Sequence, residues 1–447
     1  MSRLGDRLRA LAPRGAARYL GNTGWMMAEK VLRLTVNLLV GTVWVARHLG
    51  PDGFGVLNYV QSYVWMFAAL AGLGMNEVLV RELVLRPERR EEIMGTAMRL
   101  RLAGGAGAMA LVAASLLWVE QPPLVEALVV LVSSSLLLQP LLSVESELQA
   151  RVEAKHATYA YSASMLGASL LKVALIVLDA PLAWFVGTLL VEQVLLAGGF
   201  AWIYRARLGR FSRTRFSAEQ ARLMLRTSVP MMLSGAFISV YMKIDQLMLM
   251  EMLGKVEVGR YAAAVRLSEA WYFVPAVLAN SLFPAIIATR AKDLGLYERR
   301  MLRLYDLLYW MSLGVAVAMG LAADWLVPWL YGPGYEGAAA VLRIHVWAGV
   351  FTALGVARGK WIVAEDLTRF TLYYISIGAV VNVALNWLLI PTSGIIGASW
   401  ATLAAYAVAG YLAPALFRPT RPSFVMISKS LFFIGLRQRW NILSSRQ

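Results

Sequence analysis

Leu49-Gly50-Pro51-Asp52-Gly53-Phe54-Gly55 (LGPDGFG) recurs in outline as Leu253-Gly254-Lys255-Val256-Glu257-Val258-Gly259 (LGKVEVG). Both read Leu-Gly, four residues, then Gly, and they are 204 residues apart. Each copy sits between two apolar stretches. A second echo pairs Val186-Gly187 with Ile396-Gly397, at an offset of 210. Glycine recurs in tight turns for local reasons, and either match alone is compatible with that. Two matches at near-equal offsets, in equivalent places, predict an internal duplication.

The stretches around these glycines set the class. Apolar residues make up 59% of the 447-residue chain and charged residues 16%, with a mean hydropathy of +0.59. Soluble domains carry about a quarter charged residues. A helix of about 20 apolar residues crosses the ~30 Å hydrocarbon core of a bilayer. Twelve stretches meet that length: 24–45, 56–80, 100–119, 123–142, 158–178, 182–203, 228–250, 261–287, 304–323, 338–356, 370–390 and 396–417. The expected fold is an all-α polytopic membrane protein of about twelve helices. Six spans per half give both halves the same orientation, as parallel repeats related by an axis along the membrane normal, an arrangement known in transporters.

The expected organisation is a basic N-terminus (1–23), a first lobe (24–203), a basic linker (204–227), a second lobe (228–417) and a C-terminal tail (418–447). In the linker, Ser217 and Gln220 have the spacing of a capping box, which predicts a helix leading into span 7. The run from Phe424 to Gly435 is too short to span and holds Lys429, so it reads as interfacial. Pro140, Pro230, Pro275 and Pro284 fall in or beside spans, where proline bends a helix or simply packs.

Charge placement predicts orientation. About 34 of the 43 basic residues lie on the side that holds both termini; the opposite connections hold Arg47, Lys255 and Arg260. Basic residues stay in the cytoplasm, so both termini are expected there, in a multi-pass protein of a bacterial or archaeal inner membrane. The net charge of +16 is then mostly a topology signal. No segment offers the folded basic face with aromatics that nucleic acid would need. The chain has no cysteine, so disulfides and thiolate metal sites are excluded. The basic N-terminus has no short apolar core with a cleavage site, and reads as a cytoplasmic lead.

Some charge remains at bilayer depth, where a basic or acidic residue costs roughly 2.5–3.5 kcal/mol on insertion scales and usually serves function. Lys30, Arg33, Lys172, Lys243 and Arg266 are the candidate substrate-binding cations; Arg260 and Arg343 lie near span ends. Glu29, Asp245 and Glu269 are candidate ion-coupling acids, for H⁺ or Na⁺. Asn37, Asn382 and Asn386 are candidate polar lining. Glu29, Arg33 and Asn37 share one helical face, and Arg266 and Glu269 are neighbours at i,i+3. Lys243 and Asp245 point to different sides of span 7. By local sequence Lys30, Lys172 and Lys243 are the least compensated. The alternative is that these side chains snorkel to the interface or serve structural pairs. His48, His156 and His345 are scattered, no metal-ligand spacing or nucleotide motif occurs, and the non-cytoplasmic loops are short. An enzyme is not expected, and neither a metal nor a cofactor is.

Taken in order, Leu49-Gly50-Pro51-Asp52-Gly53-Phe54-Gly55 with Tyr59, Gly72-Leu73-Gly74, Arg81-Glu82, Asp245, Leu253-Gly254 through Gly259, Tyr261-Ala262, Leu330-Tyr331-Gly332 with Tyr335, and Ile390-Pro391 with Gly394-Ile395 and Gly397-Ala398 resemble the polysaccharide (O-antigen type) flippases. These belong to the multidrug/oligosaccharidyl-lipid/polysaccharide exporter superfamily. The resemblance implies two six-helix lobes around a central cavity, and alternating-access transport of an undecaprenyl-diphosphate-linked oligosaccharide. It also implies membrane lipids and polysaccharide polymerase or assembly proteins as partners. Twelve spans rather than fourteen set the chain apart from the lipid II flippase branch. A cation-coupled multidrug exporter and a non-transporting assembly scaffold are the alternatives. An exporter of cations would want an acidic cavity, whereas the basic residues at depth here rival or outnumber the acids.

Overall fold

The computed structural model describes residues 35–209 and 214–431. Among them ten helices are long and apolar enough to cross a membrane, and no strand occurs. Two of the ten are broken at a glycine, Gly50 (φ 65°, ψ 177°) and Gly394 (φ 59°, ψ −140°). Only glycine takes such angles readily. Counting each side of the two breaks gives twelve segments, as the hydropathy predicts: α1 (35–49), α2 (51–71), α3 (Pro87–Trp118), α4 (Pro123–Ala150), α5 (Ala154–Val177), α6 (Leu182–Leu208), α7 (Ala218–Leu253), α8 (Lys255–Arg290), α9 (Leu294–Tyr331), α10 (Glu336–Ala364), α11 (369–393) and α12 (395–416). A short helix, Asn76–Leu85, follows α2, and Arg421–Leu431 forms a terminal helix.

Several helices outrun their apolar spans. α9 has 38 residues, about 57 Å at 1.5 Å per residue, and its first turns carry Glu298, Arg299, Arg300 and Arg303. Hydropathy marks only the part that needs lipid. At the start of α7 the Ser217 hydroxyl accepts a bond from the Gln220 amide at 3.3 Å, which caps a 36-residue helix running straight through Pro230. Asp293 caps α9 in the same way. The interruption in α8 instead falls at Ala270–Tyr272, ahead of Pro275, and Pro140 sits in the first turn of a helix that follows a 3₁₀ stretch.

The duplicated Leu-Gly has one conformation in both copies: Gly254 (φ 86°, ψ −179°) repeats the turn at Gly50. It brings α2 and α8 into a crossing where neither backbone leaves room for a side chain. A Cβ on Gly55 would overlap the Lys255 carbonyl, and one on Gly259 would overlap the Pro51 carbonyl. The 204-residue offset maps Pro51 onto Lys255 and Gly55 onto Gly259, so these are one contact seen from each half. The second echo behaves differently. Gly397 packs on the Leu389 carbonyl, while the space beside Gly187 is open, so that pair is not a shared contact.

Side chains close the same end, opposite the one that holds most of the basic residues. Arg47 donates to the carbonyls of Leu330 (2.6 Å) and Trp329 at the close of α9. The Tyr335 hydroxyl donates to Ala46 O at 2.9 Å, and Lys255 pairs with Asp52 at 3.0 Å. At the basic end, Gly74 (φ 61°) lets the chain after α2 press on the α7 backbone at Ser228–Met232. A second apolar cluster there includes Met75, Leu79, Met94, Leu148, Phe200 and Met224.

Candidate functional site

The two halves meet at a polar pocket. Asn58, Gln61, Ser62 and Trp65 lie at i, i+3, i+4 and i+7 on α2 and therefore share one face. They oppose Lys243 and Gln246 of α7 and Val265, Arg266 and Glu269 of α8 around a cavity of about 180 Å³. The Gly55–Gly259 crossing lies about one turn away on α2 and about two on α8, and it holds their backbones close enough for these side chains to reach each other.

Arg266 spans the gap. Its Nε and one Nη donate to Asn58 Oδ1 at 2.9 and 2.8 Å, and that Nη also donates to Gln61 Oε1. Among the described residues no carboxylate comes within ion-pair distance of it. The i,i+3 spacing predicts Glu269 as its neutraliser, but Glu269 turns to Lys243, with Nζ 3.9 Å from Oε2. Two neutral amides take the arginine fork instead. Lys243 also lies over the Trp65 ring at 5.9 Å, and the Ser62 hydroxyl donates to Gln246 Oε1 at 2.8 Å across the same gap. Two cations and one carboxylate leave the pocket net positive.

Lys172 is not uncompensated either. It is buried in α5 and pairs with Glu192 of α6 at 3.6 Å; a search along its own helix misses a partner on the next. Its Nζ and Asn37 Oδ1 both lie beside Gly41 of α1, although Asn37 itself is exposed. Neither Lys172 nor Glu192 lines the central pocket. Glu29, Lys30 and Arg33 lie outside the described residues.

Asp245 points away from Lys243, as the spacing predicts. It is buried within the second half, accepting from the Tyr261 hydroxyl, from Thr402 Oγ1 at 3.4 Å and from the Gln246 amide at 2.8 Å. Asn382 and Asn386 share a face of α11 and are wholly buried. Asn386 Nδ2 donates to Asn382 Oδ1 at 3.1 Å, and among the described residues the remaining amide atoms have no partner. Neither borders the pocket. Arg260 pairs with Glu257 and donates to Gly334 O, and Arg343 pairs with Asp324 where both are exposed.

Sequence reading misses the α2 amides, though their i, i+3, i+4, i+7 spacing inside an apolar span is a readable signal. It also misses two arginines with structural partners. Arg101 donates to Asn76 Oδ1 at 2.5 Å. Arg358 donates to the carbonyls of Ala409 and Gly410 in a π-helical stretch, Val408–Leu412, and stacks on Tyr374 at 4.7 Å. Widened turns free such carbonyls.

A family described as polysaccharide biosynthesis protein matches residues 20–289. No curated protein matches the chain. Among solved structures, the chain is similar to a multidrug resistance MATE family transporter of the MOP superfamily in its inward-facing conformation. The TM-score is 0.67 at 16% identity, over 90% of this chain and 99% of that one. The outward-facing conformation of such a transporter gives 0.56 at 14% identity, over 90% and 98%. The lipid II flippase MurJ, inward closed, gives 0.57 at 13% identity, over 92% and 90%. The fold is thus that of multi-pass membrane transporters with two lobes.

Proposed function

The chain belongs to the polysaccharide biosynthesis protein family, and from that premise we propose that it is a flippase for an undecaprenyl-diphosphate-linked oligosaccharide. It carries this lipid from the cytoplasmic to the outer leaflet of the inner membrane by alternating access. The basic end is cytoplasmic, the lobes are residues 24–203 and 228–417, and the basic segment between them is the linker. The observation that carries the reading is Arg266, a guanidinium at the lobe interface held by neutral amides and free to take an oxyanion in exchange.

Arginine presents a planar fork that matches phosphate oxygens. A diphosphate displacing the Asn58 and Gln61 carbonyls trades neutral acceptors for charged ones, and Lys243 adds a second cation beside it. The cavity of about 180 Å³ suits the diphosphate and is too small for a glycan. The lobes must therefore part along α2 and α7–α8 as the sugar passes, and the reciprocal glycine crossing is the contact that opens outward. Each negative charge moved out of an inside-negative cell gains about 2.3 kcal/mol per 100 mV, so ion coupling is not required energetically. Asp245, in its Tyr261–Thr402 cage, is better enclosed than Glu269 to exchange H⁺ or Na⁺.

The multidrug exporter reading is disfavoured by the positive pocket, which repels cationic drugs. The test is a proteoliposome assay with a fluorescent lipid-linked oligosaccharide. The wild-type chain is expected to move it between leaflets, faster under an inside-negative potential. A chain that moves a cationic dye and leaves the lipid in place overturns the proposal.

A further inference from the structure

α7 begins ahead of its apolar stretch, and its first turns carry Arg222 and Arg226, four residues apart on one face. Both are exposed, and neither guanidinium has a hydrogen bond or ion pair among the described residues. Arg86, just past the helix Asn76–Leu85, brings a third guanidinium beside them. It is anchored by Glu82 at 3.3 Å and Gln220 at 3.4 Å. The three arginines line a pocket of about 540 Å³ together with Ala218, Glu219 and Leu223. Glu219 is its one acid and inclines to Arg89, 3.9 Å away.

The arginine face continues down the helix through Val229, Leu233 and Phe237, which are exposed by 40%, 45% and 37%. Arg226 to Phe237 spans about 16 Å of helix at 1.5 Å per residue, close to half of the ~30 Å hydrocarbon core. Charge followed by one leaflet's depth of open apolar surface is the complement of a lipid with an anionic head.

We propose that this face of α7 binds an anionic phospholipid of the leaflet at the basic end. Its phosphate lies among Arg86, Arg222 and Arg226, and an acyl chain runs along Val229, Leu233 and Phe237. Basic pockets between membrane helices bind anionic headgroups in this manner, and forked guanidinium contacts suit phosphate. The chain's own remaining segments are poor occupants by charge. Residues 1–34, 210–213 and 432–447 hold 7, 2 and 3 basic residues against 2, 0 and 0 acidic ones. The inference stands apart from the central pocket and from the transport reading.

The test titrates delipidated full-length protein in detergent with phosphatidylglycerol or phosphatidylcholine and follows retained lipid by native mass spectrometry. One phosphatidylglycerol is expected to bind in preference to phosphatidylcholine. Each surface arginine is worth about fivefold in such attraction, so Arg222→Gln with Arg226→Gln weakens retention about 25-fold. Arg299→Gln with Arg303→Gln removes a matched exposed pair from α9 and leaves retention within about twofold of wild type. Equal weakening by the two double variants means diffuse charge alone and overturns the proposal. Competition by inorganic phosphate overturns it in favour of a free-anion site. Displacement of phosphatidylglycerol by undecaprenyl diphosphate at lower concentration assigns the pocket to the transported lipid, and also overturns it. Size-exclusion elution verifies the fold of each variant, whose changes all lie at exposed positions.

Discussion

Two lysine–glutamate pairs lie at bilayer depth, one in each half, and they differ in what surrounds them. Lys172–Glu192 joins α5 to α6 inside the first half, with no second cation bonded to it among the described residues, and Lys172 is nearly enclosed. Lys243–Glu269 joins α7 to α8 at the boundary between halves, on the wall of a pocket that also holds Arg266. The first pair is self-neutralising within its half. In the second, the one carboxylate pairs with Lys243 and leaves Arg266 to neutral amides, so the pocket carries surplus positive charge. Charge at membrane depth is therefore not by itself a mark of substrate binding; imbalance at the boundary between the halves is the sharper criterion.

The largest effect should come from breaking the enclosed pair. Lys172→Met leaves Glu192 unpaired, and removing one partner of a buried ion pair costs about 3–5 kcal/mol. We expect a marked loss of folded protein, read as a lowered midpoint in thermal unfolding of the detergent-solubilised chain. Lys172→Met with Glu192→Gln removes both charges and should restore the midpoint and transport together. A double variant that folds but no longer transports would make Lys172 a substrate cation and erase the contrast.

Next in size is Arg266→Gln, which keeps a donor for Asn58 but removes the charge. A charge-assisted hydrogen bond contributes about 1.5–3 kcal/mol, so transport of the lipid-linked oligosaccharide should fall about 10- to 100-fold, with the unfolding midpoint little changed. Arg266→Lys should fall between the two, because a point charge replaces a fork. Full activity in Arg266→Gln would move the anion site elsewhere.

Much of the architecture is legible in the sequence because length and hydropathy act locally. Twelve apolar stretches predict twelve segments, and Leu-Gly at 49–50 and 253–254 predicts two turns of the same shape. The crossing of Gly55 on Gly259 is not legible there, since it depends on which helices face each other. The charge pairing is not legible, because each partner comes from another helix. Lys172 finds Glu192 twenty residues on, and Arg266 bypasses an acid one turn away for amides about two hundred residues earlier. The i,i+3 rule describes isolated helix surfaces; inside a bundle, the neighbouring helix decides.

A smaller effect separates pairing from binding at the interface. Lys243→Met with Glu269→Gln deletes a neutral pair and leaves Arg266 in place. Stability should change by less than about 1 kcal/mol, since replacing both members of a buried pair is often nearly neutral. Transport should drop only about tenfold or less, from loss of the second cation. If this variant is as inactive as Arg266→Gln, the two cations act as a unit, and the excess charge cannot be assigned to the arginine alone.

The smallest effect is expected at Arg343, whose pair with Asp324 has the shorter distance, 2.7 Å, but is exposed on both sides. Exposed ion pairs contribute about 0–1 kcal/mol, so Arg343→Gln should leave the unfolding midpoint and transport near wild type. The shortest of the three pairs is thus predicted to matter least, and the longest, Lys243–Glu269, to sit nearest the chemistry. Separation does not rank these pairs by predicted effect, because surrounding water, more than contact distance, sets what a charge is worth. A large loss on Arg343→Gln would mean that the far end closes through this pair, and the contrast between enclosed and interfacial charge would then need a third, gating class.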